Sequence, residues 1–571
     1  MEVPSATTTI RGLFDGARQF CVPPYQRAYS WQVGDGDQVG QFLRDIREQG
    51  SGRTYYLGHF LFEKPDGAGA LRVIDGQQRL TTIVIFMSTL LSECERRGVV
   101  SLGETTTEEI AATYLEQWGR RKFRTVGEDD TYFNTRMVMR DPRARRTTSR
   151  KSEGRIADAA DFLAREMRDV ATEELADWYR VVSNAVATTY TISGSGAKEI
   201  AAQIFAYQND RGKGLTSLEK VKAWLMNQIY KYSEANDADA NVDVVEKNFS
   251  AIYDRTETLR ESEDSVLRWH CQAYISISGV AVLDIVKRAL SSSEGKLQWI
   301  LAFSAMLAET FRFVYDFEQI EERRGGLVAD ICYLGKASAM PLLIKLRHYG
   351  KLGEDCGNCE VLELVESILF KLTFKMSPYR TNDLPRFALD FDGESFETGL
   401  LPRLRNTAEH GFQWYWDFTG SCRRFFTENR FHYFREIKYV LYKYENYLRG
   451  KRSEAPLNID ECRGIFRENK TVENTLDHIA PQNPDYTTYS DEFRRDYLSN
   501  IGNLSLLTWS GNSAKRDHDP TLPGVRDRYD TPQRSQREIF ETLCAGRWGK
   551  DEIDARRKRI VDFVIKNWKL A

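Results

Sequence analysis

The stretch Val73–Thr82, VIDGQQRLTT, decides how the N-terminal part of the chain is read. Val73 and Ile74 continue a β-forming run, Asp75-Gly76 breaks it, and Leu80 opens a long apolar segment, LTTIVIFMSTLLSECERRG, that ends at Gly98. This switch of pattern across a glycine predicts a strand-to-helix turn. Upstream, YYLGHFLFE (55–63) and ALRVIDG (70–76) read as the two strands of a hairpin joined by KPDGAG. QVGQFLRDIREQG (38–50) sets Val39, Phe42, Leu43 and Ile46 at helical spacing. A tight turn needs only Gly76, yet this one carries Asp75, Gln77, Gln78 and Arg79. Taken alone, a salt bridge between Asp75 and Arg79 explains the charges. The same residues also suit a phosphate: Gly76 lets backbone come close, the first N–H groups of a helix favour an anion, and Arg79 can pair with two oxygens at once. Asp75 could coordinate a cation or orient a water.

The bulk numbers bound the answer. At about 150 residues per domain, 571 residues hold about three or four domains. A hydrophobic content of 41% is ample for packed cores, and a net charge of −3 excludes a generally basic nucleic-acid binder, so positive charge for DNA must be local. No run of about 18 apolar residues is present, which predicts no membrane span, and MEVPSATTTIRGLF lacks a basic region followed by an apolar core, so it is not read as a secretory signal. Nine scattered cysteines in a chain of this size point to a reducing, cytoplasmic compartment. Cys356 and Cys359 (CGNC) have metal-ligand spacing but no second pair nearby, and are read as free thiols in a loop.

Between Arg136 and Lys151 stand seven basic residues and one acidic one, either a nucleic-acid-facing arm or a solvated loop. Helical periodicity returns from about 156 and includes IFAYQNDRGKGLTSLEKVKAWLM (204–226). Residues 236 to 425 are mostly helical, with LQWILAFSAMLAETFRFVYDF and VLELVESILFKLTFKM as core helices, and no constant repeat is visible.

The C-terminal third brings chemistry. Leu476-Asp477-His478-Ile479 reads as a strand followed by Pro481, with Asn503 and Asn512 further on and Lys515 and Arg516 after them. Neighbours on a strand face opposite sides, so Asp477 and His478 meet one spot only if the strand twists or ends there. The pattern resembles the HNH, or His-Me finger, nucleases, whose site is two strands followed by a helix. The resemblance implies His478 as general base, Asp477 and Asn512 as holders of one divalent cation, and Asn503 as a residue orienting the histidine or bracing the loop. These types fit phosphodiester hydrolysis: a neutral imidazole can activate water, and oxygen ligands suit Mg²⁺ or Mn²⁺ better than zinc. Lys515 and Arg516 are expected on flanking phosphates. His518 is read as a surface residue.

PPYQRAYSW (23–31), VIDGQQRLTT and FAYQNDRGKGLTSLEKVKAWL together resemble the GmrS-like domains, related in fold to ParB and sulfiredoxin, and the helical segment with the HNH motif resembles the GmrD half. The whole chain is thus similar to single-chain GmrSD-type proteins, a class that includes modification-dependent type IV restriction enzymes and the SspE phosphorothioate-sensing nucleases. The resemblance covers both ends, and the middle only by position and helical character. It implies nucleotide binding and hydrolysis at Asp75, Gly76, Gln77, Gln78 and Arg79, with Asn209, Arg211 and Gly212 near the same pocket. Gly212-Lys213-Gly214 lacks the Walker spacing, so a P-loop ATPase is rejected. Lys220 is expected to face solvent or a carboxylate. For PPYQRAYSW two readings stay open: Tyr25, Tyr29 and Trp31 pack a core, or these rings with Gln26 and Arg27 meet DNA.

The expected fold is therefore α+β and predominantly helical: a ParB/sulfiredoxin-like domain over 1–235, a helical connecting region over 236–425, and a ββα-metal (HNH) nuclease domain over 426–571. The expected function is a modification-dependent DNA endonuclease or nickase of an antiphage defence system. Its partners are double-stranded DNA, from phage or modified, and a nucleotide, GTP before others; no membrane is expected, and a homo-oligomer stays open. Two other classes compete: a ParB-like nucleotide-gated DNA-binding protein without nuclease activity, and an RNA-directed nuclease toxin. Metal-dependent nicking of plasmid separates the first, and a preference for RNA the second.

Overall fold

The computed structural model describes residues 5–569 apart from 35, 50–53, 66–68, 128, 142, 145–147, 194–215, 235–236, 354–355, 358, 375–379, 412–416, 429–435, 459 and 462–473. The chain forms two compact units, Met1–Arg268 with Gly279–Tyr315, and Trp269–Ser278 with Asp316–Ala571. The helical region that the sequence set apart is thus shared out, 236–268 and 279–315 with the first unit and 269–278 and 316–425 with the second.

The first unit is built on a six-stranded mixed sheet. Its strands are β1 (Ser5–Thr9), β2 (Phe20–Cys21), β3 (Tyr56–Glu63), β4 (Leu71–Asp75), β5 (Phe123–Arg124) and β6 (Val186–Ile192), in the spatial order β1-β6-β3-β4-β2-β5. The expected hairpin is present: β3 and β4 pair antiparallel, with Phe62 opposite Val73 and an irregularity between Leu61 and Phe62. β3 also pairs parallel with β6, which comes more than a hundred residues later. As a central strand with both faces covered, β3 buries Phe60, Leu61 and Phe62 in succession.

Alternation divides those side chains between two cores. Phe60, Phe62 and Val73 face a large cluster formed with α1 (Gln38–Gln49), α2 (Gln77–Arg97), α3 (Lys151–Arg168) and α4 (Thr172–Asn184). Leu61, Ile74 and Ile192 face a small second cluster, against which Tyr25 packs. α2 is apolar all round and is buried accordingly, with Leu80, Ile83, Val84 and Phe86 at 0–1% exposure. It ends where the sequence stops it, at Gly98, whose left-handed backbone (φ 70°) turns its N–H back onto the carbonyls of Cys94 and Glu95. Two further helices, α5 (Ser217–Tyr232) and α6 (Ala238–Thr256), complete the parts of this unit that matter for its site.

The second unit is helical around one small pair of strands. α7 (Gly326–His348), α8 (Cys359–Thr373) and α9 (Ile437–Gly450) precede the strands β7 (Asn474–His478) and β8 (Leu504–Thr508), which are followed by α10 (Trp509–Lys515), α11 (Arg534–Cys544) and α12 (Lys550–Trp568). Trp568 anchors the end of α12: its ring stacks on Phe370 of α8 at 3.8 Å, and its indole N–H donates to the buried Glu366 carboxylate. Burial raises the pKa of Glu366 although Lys443 lies nearby.

Two helices meet the length and composition of a membrane span without overturning the expectation of none. Lys296–Arg324 and α7 are long and apolar enough by length and composition, with mean hydropathy of 1.2 and 1.5 over their most apolar windows. Of those windows 44% and 56% is buried within the protein, which is how core helices pass the same test. Of the seven-base cluster, Arg136 pairs with Asp161 at 2.6 Å, Arg140 with Glu95, Arg143 with Asp141, and Arg150 with Asp129, while Arg145 and Arg146 lie outside the described residues. Of the CGNC pair, Cys356 is buried, and the side chain of Cys359 lies outside the described residues.

Candidate functional sites

At the β4–α2 turn the polar side chains bind one another. Gly76 adopts φ 90°, and a Cβ there would lie 2.3 Å from the Phe60 ring, so only glycine fits. Arg79 turns back under the turn: it donates to the carbonyls of Leu57 (3.0 Å) and His59 (2.8 Å), lies 3.5 Å from Asp75 and stacks over Phe60. Gly58 makes room for it, since a Cβ there would meet Arg79 Nη1 at 2.2 Å. Burial lowers the pKa of Arg79, opposed chiefly by Asp75. The guanidinium is therefore an internal tie and not the bidentate phosphate grip expected of it.

The two glutamines face the other motif. Gln78 accepts from the Ser30 N–H (2.8 Å) and donates to the Ala28 carbonyl (3.1 Å), while Gln77 reaches Gln26 (3.4 Å), which in turn donates to the Ile74 carbonyl (2.9 Å). Tyr29 is 2% exposed and its hydroxyl meets Thr82 at 2.9 Å. Trp31 packs against the main core. Tyr29 is thus realised as a core ring, Gln26 is buried in the turn's hydrogen bonds, and Trp31 packs on the core while staying partly exposed.

α5 adds a third strap. Arg27 pairs with Glu219 at 3.0 Å, and Lys222, 5% exposed, donates to the Tyr25 carbonyl at 2.6 Å with its ammonium 4.6 Å from the Tyr25 ring. Burial pulls the Lys222 ammonium down to about 8, against the pull of Glu246 and Glu219. Lys220 faces solvent, as expected. Asn209, Arg211 and Gly212 lie outside the described residues.

Two features of this face were not anticipated. His59 Nε2 stands 3.4 Å from Asp75 Oδ2, and both side chains keep solvent access, at 35% and 20% exposure. The only signal for His59 was its position on a strand between apolar neighbours. Beside Pro23, Pro24 and Tyr25 opens a cavity of about 520 Å³, whose walls carry Arg72 and Arg124 as well as Asp243 and Glu246 of α6.

In the C-terminal unit β7 pairs antiparallel with β8, His478 opposite Leu504 and Asp477 opposite Ser505, and α10 follows at once. This is the expected two-strand-and-helix unit. β7 ends at His478, and its alternation puts Thr475 and Asp477 on one face and His478 on the other. Asp477 is enclosed at 2% exposure: Oδ1 accepts from the Lys515 ammonium at 2.8 Å and Oδ2 from the Tyr529 hydroxyl. Lys515, also 2% exposed, donates in addition to the His478 carbonyl. Burial, then the Asp477 charge, holds the Tyr529 phenol far above its ordinary pKa, so it stays a neutral donor. Lys515 is thus an internal counter-ion rather than a phosphate contact. Arg516 is exposed, at φ 52° just beyond α10. Asn512 donates to the Thr475 hydroxyl at 2.9 Å.

Asn503 is fully buried and braces the segment after His478. Its oxygen accepts from the Ala480 N–H (2.8 Å) and the Trp548 indole (3.0 Å), and its amide donates to the carbonyls of Leu498 (2.8 Å) and Ala480 (3.2 Å). Arg556 of α12 reaches the carbonyls of Gly502 and Leu504 at 3.0 and 2.6 Å. At Gly502 a Cβ would lie 2.0 Å from the Ile553 carbonyl, so the glycine lets α12 close on the turn. His518 pairs with Asp485 at the surface.

Comparison with known proteins agrees with both halves. The family model for the GmrSD restriction endonuclease N-terminal domain matches residues 10–226, and that for the GmrSD restriction endonuclease C-terminal domain matches residues 417–563. No curated protein matches the chain. The first match spans the three strapped motifs and the second spans the β7–β8–α10 unit, and the chain belongs to the GmrSD restriction endonucleases.

Proposed function

We propose that this endonuclease is modification-dependent, cuts or nicks DNA through an HNH-type centre at His478, and binds and hydrolyses a nucleotide in its N-terminal half. The observation that carries the reading is the β7–β8–α10 unit, which sets His478 at a strand end with its backbone held on both sides. His478 takes the proton of the attacking water, and the exposed Arg516 meets a flanking phosphate. A divalent cation, Mg²⁺ or Mn²⁺, would neutralise charge on the phosphate and the leaving oxygen. Asn512 has an oxygen suited to such an ion. Asp477 does not fit as its partner ligand, because its carboxylate is enclosed by Lys515 and Tyr529.

In the N-terminal half the nucleotide, GTP first among candidates, meets Asp75, His59 and the backbone of the β4–α2 turn, while Gln77, Gln78 and Arg79 hold that turn in shape. The cavity beside Pro24 and Tyr25, with both signs of charge on its walls, is the candidate recess for a modified nucleotide.

Matched plasmids test this, one unmodified and the others each carrying one modification: glucosylated hydroxymethylcytosine, methylcytosine or phosphorothioate. They are incubated with metal, with and without GTP. Cutting of one modified plasmid only, dependent on GTP, is expected. Equal cutting of all plasmids removes modification dependence, and unchanged cutting without GTP removes the nucleotide gate. His478→Ala is expected to abolish cutting and to leave nucleotide hydrolysis intact; loss of both in folded protein rules out two separate sites.

A further inference from the structure

We propose that Asp477, Lys515 and Tyr529 form an internal brace that positions His478, and that Asp477 is a positioning residue and not a metal ligand. The inference rests on the nuclease reading of His478. Three elements meet at this point: Asp477 on β7, Lys515 at the last turn of α10, and Tyr529 in the segment that leads to α11. The ion pair has side-chain exposures of 2% and 1%, which leaves no path for a hydrated cation to the carboxylate. A hard divalent ion retains waters and needs ligand oxygens that open toward substrate. Here one carboxylate oxygen faces an ammonium and the other a phenol.

The same ammonium also holds the His478 carbonyl. On the far side, the Ile479 N–H donates to the Asn503 carbonyl at 2.9 Å and the Ala480 N–H to the Asn503 side chain. His478 is therefore fixed at its own peptide by the brace and at the next two residues by Asn503. Asp477 orders Lys515, and Lys515 orders the histidine, so removal of Asp477 shifts the base without touching the reacting atoms. The sequence neighbours Asp477 and His478 divide the work by strand alternation: one side chain locks into the brace, and the other lies on the opposite face of the strand, half-buried.

The full chain is titrated with Mn²⁺ by calorimetry as wild type and as Asp477→Asn, whose amide can still accept from Lys515 and donate to Tyr529. Nicking is measured on the same samples and on Asp477→Ala. The expected result is a Mn²⁺ affinity for Asp477→Asn within about twofold of wild type. Asp477→Ala should lower kcat by about a hundredfold with KM for DNA unchanged, and Asp477→Asn should recover part of that loss. A fall in Mn²⁺ affinity of more than about tenfold in Asp477→Asn, with the unfolding midpoint kept, overturns the proposal, because that is the mark of a lost direct ligand. Wild-type protein that neither binds Mn²⁺ nor cuts DNA defeats the nuclease reading instead. The brace is then judged by thermal unfolding of Asp477→Asn, Tyr529→Phe and the double variant: non-additive midpoint losses support it, additive losses overturn it.

Discussion

The β4–α2 turn and the β7–β8–α10 unit are both built from short polar motifs, and both turn most of those polar groups inward. They differ in what does the holding. At the turn, neutral amides bridge to backbone, Gln78 to Ser30 and Ala28 and Gln26 to Ile74, and the one charged tie, Arg79 with Asp75, keeps some solvent access. In the C-terminal unit a buried charge pair does it, Lys515 with Asp477. A neutral hydrogen bond adds about 1 kcal/mol and its loss leaves a modest desolvation cost. A buried ion pair adds little net stability, yet breaking it strands a charge. The first region should therefore yield gradually to substitution and the second abruptly.

The largest expected effect tests that contrast directly. Asp477→Ala leaves the Lys515 ammonium buried without its counter-ion and should destabilise the protein by about 3–5 kcal/mol, read by denaturant unfolding of the full chain. A loss no larger than that of Gln78→Ala would falsify the distinction between the two regions.

Next is a pH effect at the N-terminal straps. Lys222 has a folded pKa near 8 against 10.5 for the ordinary side chain. Between those values the unfolded chain binds more protons than the folded one, so this group makes stability rise with pH across the window from about 8 to 10.5. The span amounts to at most about 3 kcal/mol. Lys222→Met should flatten that rise in thermal unfolding measured at several pH values, and an unaltered pH profile would show that Lys222 is not held in an apolar place.

Gly76→Ala should follow at about 2–3 kcal/mol, since the backbone at φ 90° disfavours a side chain and the new methyl would meet Phe60. Here the expected signature is lower stability together with weaker nucleotide binding, because the turn itself must move. The smallest effect is Gln78→Ala, about 1–2 kcal/mol from two lost hydrogen bonds to backbone. If it instead matched Gly76→Ala, the amide bridge between the two motifs would be stronger than neutral hydrogen bonding allows.

Local periodicity made much of the fold legible. The β3–β4 hairpin, the all-round apolar α2 stopping at Gly98, and the amphipathic α1 follow from patterns within a few residues of each other. The long-range partners were not legible. Nothing near Tyr56–Glu63 announces that Val186–Ile192 will lie parallel beside it. Nor does composition show that Arg136, Arg140, Arg143 and Arg150 each find a carboxylate.

For the candidate sites the division is sharper. By itself the sequence determined which chemistry is available: a histidine at a strand end ahead of a helix, a glycine turn between strand and helix, and three motifs that recur together in one family. Only the tertiary structure decided which way each polar group faces. Strand alternation says that Asp477 and His478 point apart, but which of them meets the core depends on α10 and on Tyr529, 52 residues away. Lysine is among the residues least often buried, so the sequence places Lys515 on a flanking phosphate, whereas packing sets it against Asp477. Arg79 was read as a phosphate ligand until the carbonyls of Leu57 and His59 closed around it. Sequence specifies the donors and acceptors; burial decides which of them must pair within the protein and which remain for a ligand, because an unpaired polar group costs most where water cannot reach it.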